Sequence, residues 1–447
     1  MQFFKNNLKK LIILMLTVGV ACSCCSCAVN SKAVTNDETL EPYITDVQKT
    51  DVVIECDKAL SNIHATYELS DDAYTVCKGY SFWLDDEMSR DGITRLEWIT
   101  SLLTALDIEA YEFVDDSYSR FGDKDYFEGS EYFVAAIENK ILGAGGTQFG
   151  PNTLATRQYV STTLVNALGY TKNHKLSCND YKQIKDKKQA AISVYLSYIK
   201  LDENGNFNPY APVTEAEVEE ILSQIEMMKS LKGKTVMSFG DSIMHGDGNY
   251  KVGIADIMAE KYHMTAVDYS VGGATFGFVE DRNQISNQIL SAIQKNETAD
   301  IILLDGGSND MRKVEIGCIS EGYEYGKHGR KEFAQGMEYA LGLLQDNYPL
   351  TPVLYIRAHN MDFSTEDKEI AYGNFAMDIC EKWGIEKIDL YSDSQFNAHD
   401  ADIRKKYTAA LKNYPEGDSV HPNRDGYYEY YIPMIVPEVI EILKQTQ

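Results

Sequence analysis

Residues 235–243 read TVMSFGDSI, and this stretch decides the fold of the C-terminal half of the chain. Its first five residues form a short apolar run, which predicts a buried β-strand. The run ends at Gly240, and the polar residues Asp241 and Ser242 follow at once. In an open α/β sheet, reactive side chains collect at the carboxyl ends of the strands. Ser242 is therefore the first candidate for a functional residue.

Further short apolar runs follow downstream and predict four more buried parallel strands, at 266–270, 301–305, 353–357 and 385–390. Segments with helical patterning separate the strands, at 251–262, 284–294, 333–347 and 370–383. Because strand and helix alternate, we predict an α/β fold over residues 231–447. The expected architecture is a three-layer α/β/α sandwich of flavodoxin-like type, with a five-stranded parallel sheet and right-handed crossovers.

A base for Ser242 is expected near the C-terminus of the chain. A serine hydroxyl is a weak nucleophile at neutral pH and must pass its proton to a base, for which a histidine with an ordinary pKa of about 6.5 is suited. We predict that His421 is this base and that Asp418, three residues earlier, orients its ring. His245 and His359 are competing bases, but neither has an aspartate in an orienting position by sequence.

Backbone and amide donors for an oxyanion follow the predicted strands. The N–H group of Ser242 itself and that of Gly272 or Gly273 are candidates, and the side-chain amide of Asn309 is a third. Such donors stabilise the negative oxygen that forms when a carbonyl is attacked, and losing one typically costs about 10² to 10³ in rate. The pattern therefore predicts attack of a serine on a carbonyl group.

The four blocks GDSI (240–243), GGAT (272–275), GSND (307–310) and DSVHP (418–422) resemble, in this order, those of the SGNH (GDSL-like) hydrolases. The resemblance covers residues from about 231 to 447. It implies ester or thioester hydrolysis on an open active site without a metal or other cofactor. It also favours Gly273 over Gly272 as the oxyanion donor, because Gly273 directly precedes Ala274 and Thr275, as the glycine of the family's second block does.

An internal repeat precedes this domain, and we assign it to residues 56–230. Its copies begin at Thr94, Thr156 and Thr214, and each threonine is placed to cap a helix with one apolar face. TQFGP (147–151) with ATRQ (155–158), and GNFNP (205–209) with VTEA (213–216), resemble S-layer homology repeats. That resemblance implies an all-α repeat domain that binds cell-wall polysaccharide with the help of Arg95 and Arg157. A degenerate helical spacer is the alternative, since the third copy has a glutamate at the equivalent position.

The first 27 residues have the pattern of a lipoprotein-type signal segment. Three lysines precede an apolar run at 11–21 that is too short to span a bilayer comfortably. The sequence VAC at 20–22 resembles a bacterial lipobox, so we predict lipidation of Cys22, with Cys24 or Cys27 as alternatives. Residues 28–55 are polar and acidic and predict a linker. We therefore expect a protein of the bacterial cell surface; simple secretion is the alternative.

Charge and cysteine content narrow the classes of partner. The formal net charge of -26 argues against nucleic acid, which needs a basic surface. Beyond residue 27 the cysteines show no zinc-ligand spacing, so no metal site is predicted, although Cys56 and Cys77 could form a disulfide. Membrane contact is expected only through the N-terminal lipid anchor.

Together these patterns predict an exported serine esterase that hydrolyses small acyl esters, acetyl foremost, on carbohydrate. A lysophospholipase- or thioesterase-like lipid esterase is one rival. The other is a cell-wall binding protein whose hydrolase domain is vestigial. An acyl chain-length series distinguishes the first rival, and polysaccharide binding by the repeats distinguishes the second.

Overall fold

The computed structural model describes residues 92–110, 130–143, 149–326 and 329–446. Contacts divide the chain into the units Met1–Ile93 and Thr94–Gln447, and the fold described below is that of the second. The predicted signal segment with Cys22, the linker, and Cys56 and Cys77 lie outside the described residues. In the described part of the chain, no helix has both the length and the apolar character that a membrane span requires.

Helices form the N-terminal part of the second unit: α1 (Arg95–Ala105), α2 (Ser130–Glu138), α3 (Arg157–Leu168), α4 (Lys187–Tyr195) and α5 (Glu215–Leu231). The three predicted threonine caps are confirmed. Thr94, Thr156 and Thr214 each accept a hydrogen bond from the backbone N–H three residues later, at α1, α3 and α5 respectively. At Thr94 and Thr214 a glutamate also bonds back to the threonine N–H, which completes a capping box.

The arginine that follows each of the first two caps closes the turn of the next copy. Arg95 Nη1 donates to the carbonyl of Phe149, and Arg157 Nε donates to the carbonyl of Phe207 at 2.7 Å. Arg157 is only 8% exposed, and its other nitrogens bond to Glu217 and to a backbone carbonyl. The equivalent bonds show that successive copies interlock through the same contact, and that Arg157 is engaged within the fold.

A five-stranded parallel sheet follows: β1 (Thr235–Phe239), β2 (Thr265–Asp268), β3 (Ile301–Asp305), β4 (Val353–Arg357) and β5 (Glu386–Asp389). The strand order is β2-β1-β3-β4-β5, and every neighbouring pair is parallel. This order confirms the predicted flavodoxin-like α/β fold. The predicted bounds of β1, β3 and β4 are confirmed, whereas the two edge strands β2 and β5 are displaced or shortened by one or two residues at their ends.

The helices that connect and follow the strands are α6 (Ser242–His245), α7 (Ile254–Tyr262), α8 (Ile285–Gln294), α9 (Phe333–Asn347), α10 (Glu366–Trp383), α11 (Leu390–Asp393), α12 (Ala401–Tyr407), α13 (Arg424–Gly426) and α14 (Ile432–Gln445). A π-helix, Tyr427–Tyr431, joins α13 to α14. The prediction that α7 begins at residue 251 is wrong, because Tyr250 and Lys251 have φ of 53° and 60°, a left-handed conformation that a helix does not continue. The prediction that α10 begins at residue 370 is also wrong, because an acidic first turn suited to a helix N-terminus starts at Glu366.

The helical repeats pack directly against the α/β part within this unit. Arg424, on α13, donates from Nε to the carbonyl of Tyr195 at 3.0 Å and from Nη2 to that of Val194. Lys261, on α7, donates to the carbonyl of Leu196 at 2.7 Å. These side chains donate to carbonyls at the C-terminal end of α4, where carbonyl groups begin to lack partners in a following turn, although Val194 also accepts from the N–H of Ser197. The boundary predicted at 230/231 falls in the last turn of α5, inside one compact unit, and stays a prediction.

Candidate active site

Ser242 is the first residue of α6, directly beyond the carboxyl end of β1. Asp241 caps this short helix, its Oδ1 accepting from the N–H of Ile243 at 2.9 Å. The turn requires glycine at position 240, because a Cβ there would lie 1.7 Å from Oδ1 of Asp305. The strand end, the tight turn and the helix start therefore fix the position of the serine hydroxyl.

His421 and Asp418 meet Ser242 at this edge of the sheet. Nε2 of His421 lies 2.9 Å from Oγ of Ser242, and Nδ1 of His421 lies 2.5 Å from Oδ2 of Asp418. Oδ1 of Asp418 accepts from the backbone N–H of Val420 and of His421, at 3.1 and 2.9 Å. The structure thus brings the three predicted residues into one chain of hydrogen bonds, although Ser242 and Asp418 come from opposite ends of the domain.

The loop that carries Asp418 and His421 is anchored on both sides. Ala409 donates its N–H to the carbonyl of His421 at 2.8 Å and accepts at its own carbonyl from the N–H of Asp418 at 3.0 Å. On the other side, a Cβ at Gly248 would lie 2.7 Å from Cβ of His421, so only glycine allows this close approach. These contacts hold the imidazole in place toward Ser242.

The surroundings favour a charged imidazole. Burial by itself lowers the pKa of His421, but the hydrogen bond and the negative charge of Asp418, with Asp241 and Asp247 further away, outweigh burial and raise this pKa above its ordinary value. For Asp418, burial raises the pKa, and the bonds and charge of His421 outweigh this and lower it. A raised histidine pKa is what a base needs in order to take the proton of Ser242 and hold it as an imidazolium.

The backbone N–H groups predicted as oxyanion donors follow the carboxyl ends of β1 and β2. Among the described residues, no acceptor is hydrogen-bonded to the N–H groups of Ser242, Gly272 or Gly273. The third predicted donor, the amide of Asn309, is engaged: its Nδ2 donates to Oδ2 of Asp241 and to the carbonyl of Ala274, each at 3.1 Å. For Asn309 to bind an oxyanion, one of these long bonds must be exchanged for the charged acceptor, which forms a stronger bond.

The two competing histidines have other partners. Nδ1 of His245 lies 2.8 Å from Oδ1 of Asp247, so the expectation that His245 lacks an orienting aspartate is wrong: the aspartate lies two residues later, in the turn that follows α6. His359 is buried, bonds to the hydroxyl of Tyr431 at 2.7 Å and stacks on Phe396. Burial lowers the pKa of His359 to about 3, which keeps it neutral in the core.

Sequence reasoning missed a buried polar network beneath the nucleophile. Gln288 brackets the turn at Gly240, accepting from its N–H at 2.9 Å and donating to its carbonyl at 2.8 Å. Asp305 accepts from the N–H of Asp241 at 2.9 Å. Burial, together with the charge of Asp241, raises the pKa of Asp305 well above its ordinary value. A carboxyl group at the end of an otherwise apolar strand was the sequence signal for this network.

The tyrosines after the histidine belong to the core. Tyr427, Tyr428 and Tyr431 are buried, and the hydroxyl of Tyr427 donates to the carbonyl of Ile243 at 2.6 Å. The π-helix therefore supports α6 from below. In the described ranges, no group of three histidine, cysteine, aspartate or glutamate side chains is arranged to hold a metal ion.

Comparison with known proteins gives a family for this region. Residues 238–428 match the model of the GDSL-like Lipase/Acylhydrolase family. Among curated proteins no match is found. Similar solved structures include a protein from Lactobacillus plantarum, with 21% identity over 48% of this chain and 98% of that one, and a TM-score of 0.39.

Two other similar structures carry descriptions of activity. A lipase/acylhydrolase from Enterococcus faecalis has 16% identity over 47% of this chain and 96% of its own, with a TM-score of 0.31. Est24, a carbohydrate acetylesterase from Sinorhizobium meliloti, has 12% identity over 47% of this chain and 99% of its own, with a TM-score of 0.32. Residues 238–428 therefore match the GDSL-like Lipase/Acylhydrolase family, and this match supports an ester-bond hydrolase in the C-terminal half of the chain.

Proposed function

We propose that the protein is an exported serine esterase that removes small acyl groups, acetyl foremost, from carbohydrate hydroxyls. The observation that carries the proposal is the pair of contacts made by His421, with Nε2 at 2.9 Å from Oγ of Ser242 and Nδ1 at 2.5 Å from Oδ2 of Asp418. This arrangement supplies a nucleophile, a base and an orienting carboxylate in hydrogen-bond contact.

In the proposed reaction, Oγ of Ser242 attacks the ester carbonyl while Nε2 of His421 takes the hydroxyl proton. The carbonyl oxygen becomes an oxyanion that the N–H groups of Ser242 and Gly273 stabilise. The imidazolium, held by Asp418, then gives its proton to the ester oxygen of the sugar as the bond between this oxygen and the acyl carbon breaks; the sugar leaves with a free hydroxyl and an acyl-serine remains. A water molecule attacks the acyl-serine with His421 again as the base, which releases the acid and restores the serine hydroxyl.

Exposed side chains on the loops around the site support a sugar as the alcohol. Tyr250, which follows the turn packed against His421, is 96% exposed. Val271 and Phe278 flank the loop that holds the oxyanion glycines, and both are also exposed. Such surfaces suit the apolar faces of a pyranose ring, and the Tyr250 side chain adds a hydroxyl group to its contact area.

Acetate release from an acetylated glycan tests the proposal. The wild type is expected to release acetate and Ser242→Ala to release none above background, because the nucleophile is absent. Comparable release by both proteins would refute the enzymatic mechanism. A series of aryl esters of increasing acyl length separates the alternative: a preference for long chains would favour a lipid-directed esterase.

The proposed location is the outer face of the bacterial membrane, held by a lipid on Cys22. The experiment is fractionation of cells that express the wild type or Cys22→Ala. The wild type is expected in the membrane fraction and the variant in the medium. An unchanged distribution would point to Cys24, Cys27 or simple secretion.

Binding of cell-wall polysaccharide by the repeats is a second proposed role, and one observation favours the junction of the first two copies. Arg95 lines a cleft of about 320 Å³ together with Gln158, Lys185 and Tyr210, whereas Arg157 is buried in bonds within the fold. Retention of the whole chain on purified wall polysaccharide, compared with Arg95→Gln, tests this role. Equal retention of both proteins, or retention of neither, counts against it.

A further inference from the structure

The guanidinium group of Arg282 lies beside the glycine that carries the proposed oxyanion donor. A Cβ built on Gly273 would lie 2.4 Å from Nη1 of Arg282, so the cation rests against the backbone of that residue. The Arg282 side chain is exposed, and among the described residues it makes no ion pair and donates no hydrogen bond. The guanidinium therefore lies next to Gly273, exposed to solvent and without a protein partner among the described residues.

The backbone that carries Arg282 is fixed to the same loop. Thr275 donates its N–H to the carbonyl of Asn283 at 3.1 Å and accepts from the N–H of Ile285 at 2.9 Å. Nε2 of Gln284, a buried residue, donates to the carbonyl of Arg282 at 2.6 Å. Arg282 and Gly273 thus lie on two segments that backbone hydrogen bonds join, and these bonds hold the backbone of Arg282 near the proposed oxyanion donor.

Asp247 is a second charged group beside these glycines, and it already has a hydrogen-bond partner. Oδ2 of Asp247 would lie 2.3 Å from a Cβ on Gly272, but Oδ1 of the same carboxylate contacts His245 at 2.8 Å. The two adjacent glycines are therefore flanked by a paired carboxylate on one side and an unpaired guanidinium on the other. The chain has a formal net charge of -26, so carboxylates outnumber cations, and yet Arg282 pairs with none of them among the described residues. Its guanidinium is therefore available to bind an anionic group of a ligand.

We propose that Arg282 binds a carboxylate on the sugar that carries the ester, so that the enzyme prefers O-acylated acidic glycans over neutral ones. This inference rests on the proposed function and names its substrate class. A guanidinium and a carboxylate form two parallel charged hydrogen bonds, which fix the sugar relative to the oxyanion donors. Arg282 acts as a specificity-determining residue and takes no proton.

A matched pair of substrates tests the proposal: an O-acetylated galacturonic acid oligosaccharide and the same oligosaccharide with its carboxyl groups methylated. Charged hydrogen bonds of about 1.5 to 3 kcal/mol predict a preference of about 10- to 100-fold in kcat/KM for the acid form. Arg282→Gln is expected to abolish this preference while kcat/KM for the methylated form stays within about threefold. Arg282→Lys should keep part of the preference, and added salt should reduce it in the wild type.

Lys444→Gln is the matched control, because it removes one exposed cation at the end of α14, and it should leave the preference intact. Equal kcat/KM for both substrates in the wild type would overturn the inference about Arg282 and leave the esterase proposal standing. A proportional loss on both substrates in Arg282→Gln would also overturn it, since the arginine would then act on the oxyanion. Failure of the wild type to hydrolyse either substrate would overturn both proposals.

Discussion

Replacing Asp418 with asparagine is expected to switch the neutral imidazole of His421 to its other tautomer without changing the shape of the loop. The asparagine carbonyl oxygen can keep the two backbone bonds that Oδ1 accepts from Val420 and His421, at 3.1 and 2.9 Å. Its amide nitrogen then faces Nδ1 of His421, where Oδ2 stands at 2.5 Å. Because that nitrogen only donates, Nδ1 must accept, and the ring proton moves to Nε2.

With its proton on Nε2, His421 points a donor at Oγ of Ser242, 2.9 Å away, and can no longer accept the hydroxyl proton. The same change in a serine protease triad costs about 10⁴ in kcat, which corresponds to about 5.4 kcal/mol in the barrier. We expect a loss of this order for Asp418→Asn in initial rates on an aryl acetate. Urea unfolding should show little change, because the loop keeps its backbone bonds.

Asp247→Asn is the matched control, since it alters the other histidine–aspartate pair near the site, that of His245. It should keep kcat within about tenfold of the wild type. If Asp247→Asn lost turnover and Asp418→Asn retained it, His245 would be the base and the proton path argued here would be refuted.

Three further predictions concern pH and stability. The acid limb of kcat/KM should lie above pH 6.5, because His421 must be neutral to act as the base. Burial lowers the pKa of His421, but the hydrogen bond and the charge of Asp418 outweigh burial and raise it. A profile that is flat from pH 5 to 8 would contradict this. Thr214→Ala should lower the free energy of unfolding in urea by about 1 kcal/mol through loss of the α5 cap, whereas Thr214→Ser should not, and equal values would show that the cap contributes nothing. Gly336→Ala should lower the free energy of unfolding by about 1 to 3 kcal/mol, because the new Cβ would lie 2.1 Å from the Phe276 carbonyl oxygen. Gly322→Ala is the control: no atom lies near its new Cβ, so it should cost less than about 0.5 kcal/mol. Similar costs for the two variants would refute the packing argument.

The central strands could be predicted from the sequence because both faces of a covered parallel sheet are buried. Every residue of β3 and β4 is buried, so their apolar runs have the same bounds as the strands. At the edge, no residue of β2 is fully buried, and its sequence does not mark where pairing starts. The start of α7 was missed because the left-handed residues at 250 and 251 carry helix-compatible side chains.

The candidate triad could be predicted because each residue has a chemical role that few side chains fill. The network of Asp241, Asp305 and Gln288 could not, because it depends on side chains from β3 and α8 meeting beneath one turn. The position of Arg282 was likewise hidden, since it depends on the pairing of Thr275 with Gln284. Those contacts are set by tertiary packing: the sequence shows a carboxyl group, Asp305, at the end of an apolar strand, but it does not show which groups that carboxyl meets.

Labelling with a fluorophosphonate, followed by mass spectrometry of the digested protein, tests the central claim most directly. The reagent phosphonylates a serine only where a base removes the hydroxyl proton and oxyanion donors hold the phosphoryl oxygen. We predict a single adduct on Ser242 in the wild type and labelling at least about 10³ times slower in His421→Ala. An adduct on another residue, or equal labelling rates in the two proteins, would contradict the account.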